Sequence, residues 1–277
     1  MPRSGFSAKG LGFSSNQFIT SGGTVWNTGV SGYEGVYFTS NGTFTVLNGT
    51  RDVEILVISG GSGGGGGAFV TYGVYSGGGG GAAGNRATNT VTCTLGIADV
   101  RSLAITVGAG GAGGARGISY TPSYPAVGSQ GGTGGTSSVL GATGTNFGTA
   151  TGPTGGREGF SYYYGNSFGG TGASNSNFSG SPGYNANSQY NGGGGGAGAG
   201  SNASAISTYF IGALGGSATT INNVTFGYGA QGGNYNGRNS STFADGSGGA
   251  GGGGFDDATF GPGYTGYRGA VYLRWKV

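Results

Sequence analysis

The sequence predicts an all-β protein: a β-sandwich (jelly-roll-like) framework with an inserted bundle of glycine-rich polyglycine II helices and little or no α-helix. Several segments alternate apolar and polar residues with a period of two, which is typical of half-buried strands. Glycine supplies 75 of the 277 residues and is concentrated in tracts between these segments. No segment repeats its apolar residues with the spacing of an amphipathic helix.

The strongest strand signal is residues 52–58, where the apolar run Ile55 to Ile58 ends directly at a glycine tract. Residues 91–95, 103–107 and 271–277 also alternate with a period of two, and weaker signals occur at 138–140, 147–151 and 223–226. Each strand has an apolar face that its sequence neighbours cannot cover. We therefore expect strands from both ends of the chain to meet in one sheet or sandwich.

Two Asn-Gly pairs indicate turns near the start of the predicted β region. Residues 36–38 and 43–46 flank Ser40-Asn41-Gly42, which predicts a hairpin with a primed turn. Asn48-Gly49 then leads into the strand at 52–58. Residues 1–35 show little periodicity and are predicted to be an N-terminal arm or attachment segment, followed by a glycine-rich β domain over 36–277.

The glycine tracts predict helices with three residues per turn. They cover 60–67, 77–84, 108–117, 131–135, 192–200 and 248–254. Residues 108–117 read GAGGAGGARG, which places Ala109, Ala112 and Ala115 on one edge of such a helix. This helix has no internal hydrogen bonds, so neighbouring helices must pair its backbone groups. We expect a bundle of parallel and antiparallel polyglycine helices.

Two other classes of glycine-rich chain fit the composition less well. Collagen requires glycine at every third position and abundant proline, and this chain has 6 prolines. A disordered tract is the other alternative, but such chains are poor in aromatic residues and usually carry a high net charge. Here aromatic residues make up 12% and the net charge is +3.

The composition argues against catalysis and cofactor binding. The chain has no histidine and one cysteine, which removes the common catalytic triads and the usual zinc ligands. Cys93 alternates with Val91 and Leu95 on an apolar strand face and is predicted to be a core residue. Basic residues are dispersed, and no apolar run could cross a bilayer, so we expect no nucleic-acid binding, no membrane insertion and synthesis in a cytoplasm.

Several pieces of the chain, in their order, resemble a known glycine-rich domain. They are Thr43-Phe44-Thr45-Val46, the segment 53–61 with the glycine run after it, residues 105–114, residues 131–138 and the closing segment 269–275. The resemblance covers residues 36–277 and is to the glycine-rich domain of phage tail-fibre and other virion proteins. The chain is also similar to the distal tail-fibre adhesins of T-even-like phages. This similarity implies loops beyond the glycine bundle that touch the bacterial surface.

Tyrosine-rich clusters interrupt the glycine tracts where loops at the ends of a bundle should lie. Tyrosine among Ser, Gly and Asn provides a large rigid contact surface surrounded by adaptable hydrogen-bonding groups. The alternative is that these side chains cap the bundle or pack between subunits. The predicted receptor-binding residues are Tyr120, Tyr124, Tyr162, Tyr163, Tyr164, Tyr184, Tyr190, Tyr209 and Phe210.

These observations lead to one predicted function and two alternatives. We expect a phage virion structural protein of the tail-fibre, receptor-binding type, assembled in the host cytoplasm, without cofactor, metal or catalysis. Its expected partners are other virion proteins, a host surface glycan or outer-membrane protein, and further copies of itself, with a trimer as one arrangement. A capsid decoration, spike or tail-assembly subunit is the architectural alternative. A glycan depolymerase would need convergent carboxylates, for which Asp245, Asp256 and Asp257 are the candidates.

Overall fold

The computed structural model describes residues 18–70, 73–121, 123–162, 167–186, 190–205, 212–221, 223–233 and 262–277. Within these residues, one short helix, α1 (Ala98–Arg101), accompanies twenty strands. The strands are β1 (Phe18–Ser21), β2 (Thr24–Trp26), β3 (Tyr33–Phe38), β4 (Gly42–Val46), β5 (Thr50–Ile58), β6 (Ala68–Val70), β7 (Val74–Ser76), β8 (Arg86–Thr94), β9 (Ser102–Thr106), β10 (Gly117–Ser119), β11 (Ala126–Val127), β12 (Ser137–Gly141), β13 (Asn146–Ala150), β14 (Phe160–Ser161), β15 (Ser167–Phe168), β16 (Asn185–Ala186), β17 (Tyr190–Asn191), β18 (Thr219–Ile221), β19 (Val224–Phe226) and β20 (Ala270–Lys276). The predicted all-β class is confirmed.

Two five-stranded sheets pack face to face as a sandwich. Their strand orders are β1-β4-β9-β12-β13 and β2-β3-β20-β5-β8. The C-terminal strand β20 lies between β3 and β5 and is antiparallel to both, so the two ends of the chain meet in one sheet as predicted. The alternating apolar residues of both sheets form one buried core, in which the Trp275 ring contacts Phe18 and Phe44.

The predicted hairpin at Ser40-Asn41-Gly42 is wrong. Strand β3 pairs with β2 and β20, whereas β4 pairs with β1 and β9 in the opposite sheet. The Asn41 side chain accepts a hydrogen bond from the Val107 amide at 2.8 Å, and a Cβ at Gly42 would collide with the Ser21 carbonyl oxygen. Because of these contacts with distant residues, the Asn41-Gly42 pair forms a corner between the two sheets instead of a hairpin turn.

The sandwich begins before residue 36. Strand β1 pairs with β4 and strand β2 pairs with β3, so residues 18–26 supply an edge strand to each sheet. Their short, mostly exposed strands gave little periodicity to detect. The predicted boundary at residue 35 is thus not the edge of the β framework, and residues 1–17 of the predicted arm lie outside the described residues.

A bundle of extended glycine-rich segments continues from the sandwich. We call residues 59–67, 77–85 and 192–200 the central segments, and the outer segments are 107–116, 128–136, 151–159, 169–175, 179–184, 212–218, 227–233 and 262–269. Five of them link a sandwich strand to a small strand at the far end, so the chain runs outward and back along the bundle. These five are 59–67, 77–85, 107–116, 128–136 and 151–159. A segment such as 59–67 spans about 25 Å at the rise of a three-residue helix.

Backbone hydrogen bonds in the bundle follow a period of three. In the central segment 59–67, the amides of Gly60, Gly63 and Gly66 donate to segment 128–136. The amides of Gly61 and Gly64 donate to segment 262–269, and those of Ser62 and Gly65 donate to segment 77–85. Three donor directions that repeat every three residues are the pattern expected of a polyglycine II helix. The predicted bundle is therefore present, and 248–254 lies outside the described residues.

Position in the bundle explains the local composition. Residues 59–67 and 77–84 are buried throughout, and so are residues 192–199. The outer segments 107–116, 128–136 and 262–269 repeat a buried, an intermediate and an exposed residue. In the first of them, Ala109, Ala112 and Ala115 are exposed and the glycines at 108, 111 and 114 are buried. Larger side chains are thus confined to the edge that faces solvent, which confirms the predicted alanine edge.

Serine hydroxyls replace backbone carbonyls as acceptors at several buried positions. The Ser62 hydroxyl accepts a hydrogen bond from the Ala82 amide at 2.8 Å, and the Ser181 hydroxyl accepts one from the Gly195 amide at 2.9 Å. Ser137 does the same for the Gly108 amide at 2.9 Å. These contacts satisfy buried N–H groups that would otherwise lack a partner.

Replacement of Gly63 by alanine tests the close approach of the helices. Its Cβ would collide with the Ala112 carbonyl oxygen of a neighbouring segment, and backbone cannot move aside as a flexible side chain would. We expect Gly63→Ala to lower the free energy of unfolding by about 3 kcal/mol or more, measured by urea denaturation. Gly96→Ala, where the added Cβ has no neighbour within 4 Å, should change it by less than about 0.5 kcal/mol. Equal effects would contradict close packing at Gly63.

Replacement of Ser62 by alanine tests the side-chain acceptors. Ser62→Ala leaves the Ala82 amide buried and unpaired, so the free energy of unfolding should fall by about 1–3 kcal/mol. The matched control is Ser123→Ala, which changes an exposed serine in the 120–125 loop. Thermal and urea denaturation of both variants provide the comparison. If the free energy of unfolding of the Ser62→Ala variant equals that of the parent protein, the hydroxyl contributes little to stability.

A candidate binding surface at the tip of the bundle

The bundle ends in two small sheets, which together we call the tip. One sheet has the order β10-β6-β7-β17 and the other has the order β11-β14-β15-β16. Several glycine segments enter or leave a tip strand directly, as when 59–67 enters β6, 77–85 leaves β7 and 107–116 enters β10. The tip therefore lies about the length of the bundle away from the sandwich.

The two tip sheets face each other across a core of small residues. Ala68, Val70 and Ala126 form its buried apolar cluster. The Ser76 hydroxyl donates to the Phe160 carbonyl at 2.7 Å, and the Ser161 hydroxyl donates to the Val74 carbonyl at 2.9 Å. Hydrogen bonds between the sheets thus take the place that large side chains have in an ordinary core.

The phenylalanine side chains of the second tip sheet point outward, together with Val127. In the second sheet, Val127 is paired in register with Phe160 and Phe160 with Phe168, so the three form a row across neighbouring strands. The Phe160 and Phe168 rings are 6.0 Å apart, and Val127 and Phe168 are 47% and 44% exposed. We call these three residues the tip row. Aligned apolar side chains on a solvent-facing sheet are typical of interaction surfaces.

The first tip sheet has an equivalent outer row. Ile118 is paired in register with Phe69, and Phe69 with Tyr75. The Phe69 and Tyr75 rings are 4.9 Å apart and both residues are partly exposed. Both outer faces of the tip therefore carry apolar and aromatic residues, and the interior carries small ones.

The structure places several of the predicted tyrosines at the tip. Tyr120 and Tyr124 lie in the loop between β10 and β11 and are 77% and 68% exposed. Tyr162 directly follows β14, and Tyr184 directly precedes β16 with its amide and carbonyl bonded within the bundle. The backbone of Tyr190 starts β17. Tyr163, Tyr164, Tyr209 and Phe210 lie outside the described residues.

Sequence reasoning missed the residues that form the outer rows. Phe69, Tyr75, Val127 and Phe168 belong to strands of two or three residues, which are too short for a period-two signal. A local signal did exist: an aromatic or aliphatic residue between two small ones, as in Ala68-Phe69-Val70 and Val74-Tyr75-Ser76. That pattern places the large residue on one face and the small residues on the other.

The described acidic residues do not converge on one site, although Asp52 and Glu54 are neighbours on one face of β5. Glu54 pairs with Arg274 on the sandwich, and Glu158 lies beside the tip. Asp99 accepts hydrogen bonds from the Thr143 hydroxyl and amide at the end of the sandwich remote from the bundle. These bonds, the Thr143 side chain first, hold the pKa of Asp99 below its ordinary value. Among the described residues, no group of three or more potential metal ligands occurs, and Asp245, Asp256 and Asp257 lie outside that part of the chain.

Cys93 is fully buried in the sandwich core, as its alternation predicted. Burial, with a smaller effect from the Asp52 charge, raises the pKa of its thiol to about 11.

The buried Cys93 thiol gives a labelling test. We expect the native protein to resist iodoacetamide at pH 8 and to react fully once unfolded. Because the folded-state pKa is the higher one, the contribution of this group to stability is complete below pH 9 and is lost as the pH rises towards 11. Rapid labelling of the native thiol would contradict this burial.

Comparison with known proteins gives a family-level result. A family model described as a glycine-rich domain matches residues 39–276, which includes most of the sandwich, the bundle and the tip. A search of curated proteins found no significant match. In the described part of the chain, no helix has the length and apolar character needed to cross a membrane.

Proposed function

We propose that this chain, which belongs to the glycine-rich domain family, is a virion structural protein of the tail-fibre, receptor-binding type that contacts a host surface through its tip and catalyses no reaction. The family match itself supplies only the domain type. The virion assignment follows from the resemblance in the order of the strand and glycine segments. The observation that carries the binding role is the tip, where apolar and aromatic rows face solvent at the end of a hydrogen-bonded bundle.

Rigidity supports this role. Binding by a flexible loop loses conformational entropy when the loop becomes ordered, and a preorganised surface avoids that loss. The tip rows are held by strand register and by serine hydrogen bonds between the two sheets, with the Ser76 hydroxyl and the Phe160 carbonyl as one example. Tyr120 and Tyr124 extend the same surface with rings that have few rotamers to lose.

An architectural subunit remains the second candidate, and one surface feature favours it. At the end of the sandwich remote from the tip, which we call the base, exposed aliphatic side chains occur at the strand ends. They are Leu47, Leu95, Ile97 and Val277. The start of β1 also lies at the base, because Phe18 is paired with Val46. This base suits attachment to other subunits, and attachment is needed in both candidate functions.

Cell binding by tip variants tests the receptor-binding role. Labelled protein should bind a susceptible bacterial strain, and Phe168→Ser combined with Tyr120→Ser and Tyr124→Ser should reduce that binding at least about tenfold, because large rigid side chains dominate such interfaces. These residues are exposed, so the variant should keep the melting temperature of the parent protein.

The matched control removes exposed apolar residues elsewhere. Leu214→Ser acts on the side of the bundle and Ile97→Ser acts at the base, where both residues are exposed. Neither should reduce cell binding by more than about twofold. If the folded parent protein binds no host strain, or if the tip and control variants bind equally well, the architectural candidate is favoured.

A further inference from the structure

The outer face of one sandwich sheet carries aromatic and hydrogen-bonding groups that the tip does not explain. This is the face of the β2-β3-β20-β5-β8 sheet that points away from the core. We call Trp26, Tyr33, Glu54, Thr90 and Arg274 the sandwich platform. Strand pairing places Trp26 beside Gly35, Gly35 beside Arg274, Arg274 beside Glu54, and Glu54 beside Thr90. The platform is thus one continuous line across five strands, with Tyr33 next to it.

A glycine makes room for the aromatic end of the platform. A Cβ at Gly35 would lie 2.6 Å from Cε3 of the Trp26 indole, so the ring lies against the sheet where that side chain is missing. The Arg274 guanidinium lies over the Tyr33 ring at 4.9 Å from its centroid. Both aromatic residues are partly exposed. The sheet therefore holds the Trp26 and Tyr33 rings in fixed positions on one face.

The polar groups beside the rings are held in place by an ion pair that uses only some of their hydrogen-bonding atoms. The Glu54 Oε2 atom accepts from Arg274 Nε at 2.8 Å and from Nη2 at 2.6 Å. Within the described part of the chain, Glu54 Oε1 and Arg274 Nη1 have no hydrogen-bond partner. The Arg274 side chain is 14% exposed and that of Glu54 is 32% exposed. An acceptor and a donor group are thus positioned side by side at the surface.

A hairpin covers the part of this sheet face at one end of the platform. Strands β18 and β19 pack with Val224 and Phe226 over Leu56 and Ile58 of the same sheet face. The Asn223 side chain, in the turn between these strands, donates to the Thr28 carbonyl at 2.9 Å and holds the hairpin near Trp26. The hairpin therefore covers the half of the sheet face nearer the bundle. The platform lies in the uncovered half, next to the hairpin.

We propose that the sandwich platform binds a hexopyranose ring of a neutral glycan. A sugar ring has an apolar C–H face that packs on an aromatic ring and hydroxyls at its rim that both donate and accept. Glu54 Oε1, Arg274 Nη1 and the Thr90 hydroxyl supply an acceptor, a donor and a group that does both. The charges of Glu54 and Arg274 cancel locally, which favours a neutral ligand over an acidic one.

The tip row differs in chemistry, so the two surfaces take different ligands. Its three residues have no side-chain hydrogen-bonding group. The platform adds a second contact for a chain that reaches a surface with its tip, but it does not depend on that role. Glycan binding by the platform and cell binding by the tip are therefore separable by mutation.

A panel of immobilised oligosaccharides tests the proposal. We expect the intact protein to bind at least one neutral hexose or N-acetylhexosamine oligomer and to prefer it to sialylated or phosphorylated ones. Glu54→Gln and Tyr33→Ala should each weaken this binding about tenfold or more. Thr90→Val, an isosteric change at an exposed position, should weaken it by a smaller factor and cannot act by unfolding the sheet.

Three results would overturn the proposal. They are the absence of neutral glycan binding by the folded protein, a preference for acidic glycans alone, and binding that the Thr90→Val and Glu54→Gln variants leave unchanged. The Phe168→Ser, Tyr120→Ser and Tyr124→Ser tip variant provides the opposite control and should bind the same oligosaccharide as the parent. If only the tip variant loses oligosaccharide binding, the glycan site belongs to the tip instead.

Discussion

The structure depends on backbone hydrogen bonds between glycine segments. Glycine loses more conformational freedom on folding than any other residue, so an isolated glycine tract would not hold one shape. Here each central segment is surrounded by other segments that accept from its amides or donate to its carbonyls. These bonds require backbones to approach so closely that a Cβ at Gly80 would strike the Ala230 carbonyl. The same absence of side chains that makes glycine flexible makes this packing possible.

The bundle and the sandwich depend on each other. The bundle has few apolar side chains, and its alanine cluster of Ala82, Ala173 and Ala197 is small. Most apolar burial is in the sandwich, where Val57 and Val271 continue the alternation of β5 and β20 up to the first glycine segments. The strands thus fix where each segment begins and in which direction it runs. The bundle in turn carries that order to the tip, where strands of two or three residues could not form alone.

The sequence was informative where a period repeats and uninformative where contacts are distant. The apolar run of β5 and the period of two in β20 predicted the sandwich, and the period of three around Ala112 predicted a polyglycine helix. The search for glycine-dense tracts did not find the segment 262–269. An outer helix needs glycine only at its buried position, and Tyr264 and Tyr267 lie on its other edges. The corner at Asn41 and the outward rows of the tip arise from pairing with remote strands, which no local pattern records.

Native-state amide hydrogen exchange tests the central claim, that the glycine segments form a hydrogen-bonded structure as cooperative as the sandwich. The amides of Gly61, Gly63 and Gly64 donate to three different partners and lie in a fully buried segment. We predict that they exchange only by global unfolding, at rates close to those of Val57 in β5 and Leu273 in β20. Exchange of these glycine amides at the rate of an unstructured peptide, with the two strands still protected, would contradict the account.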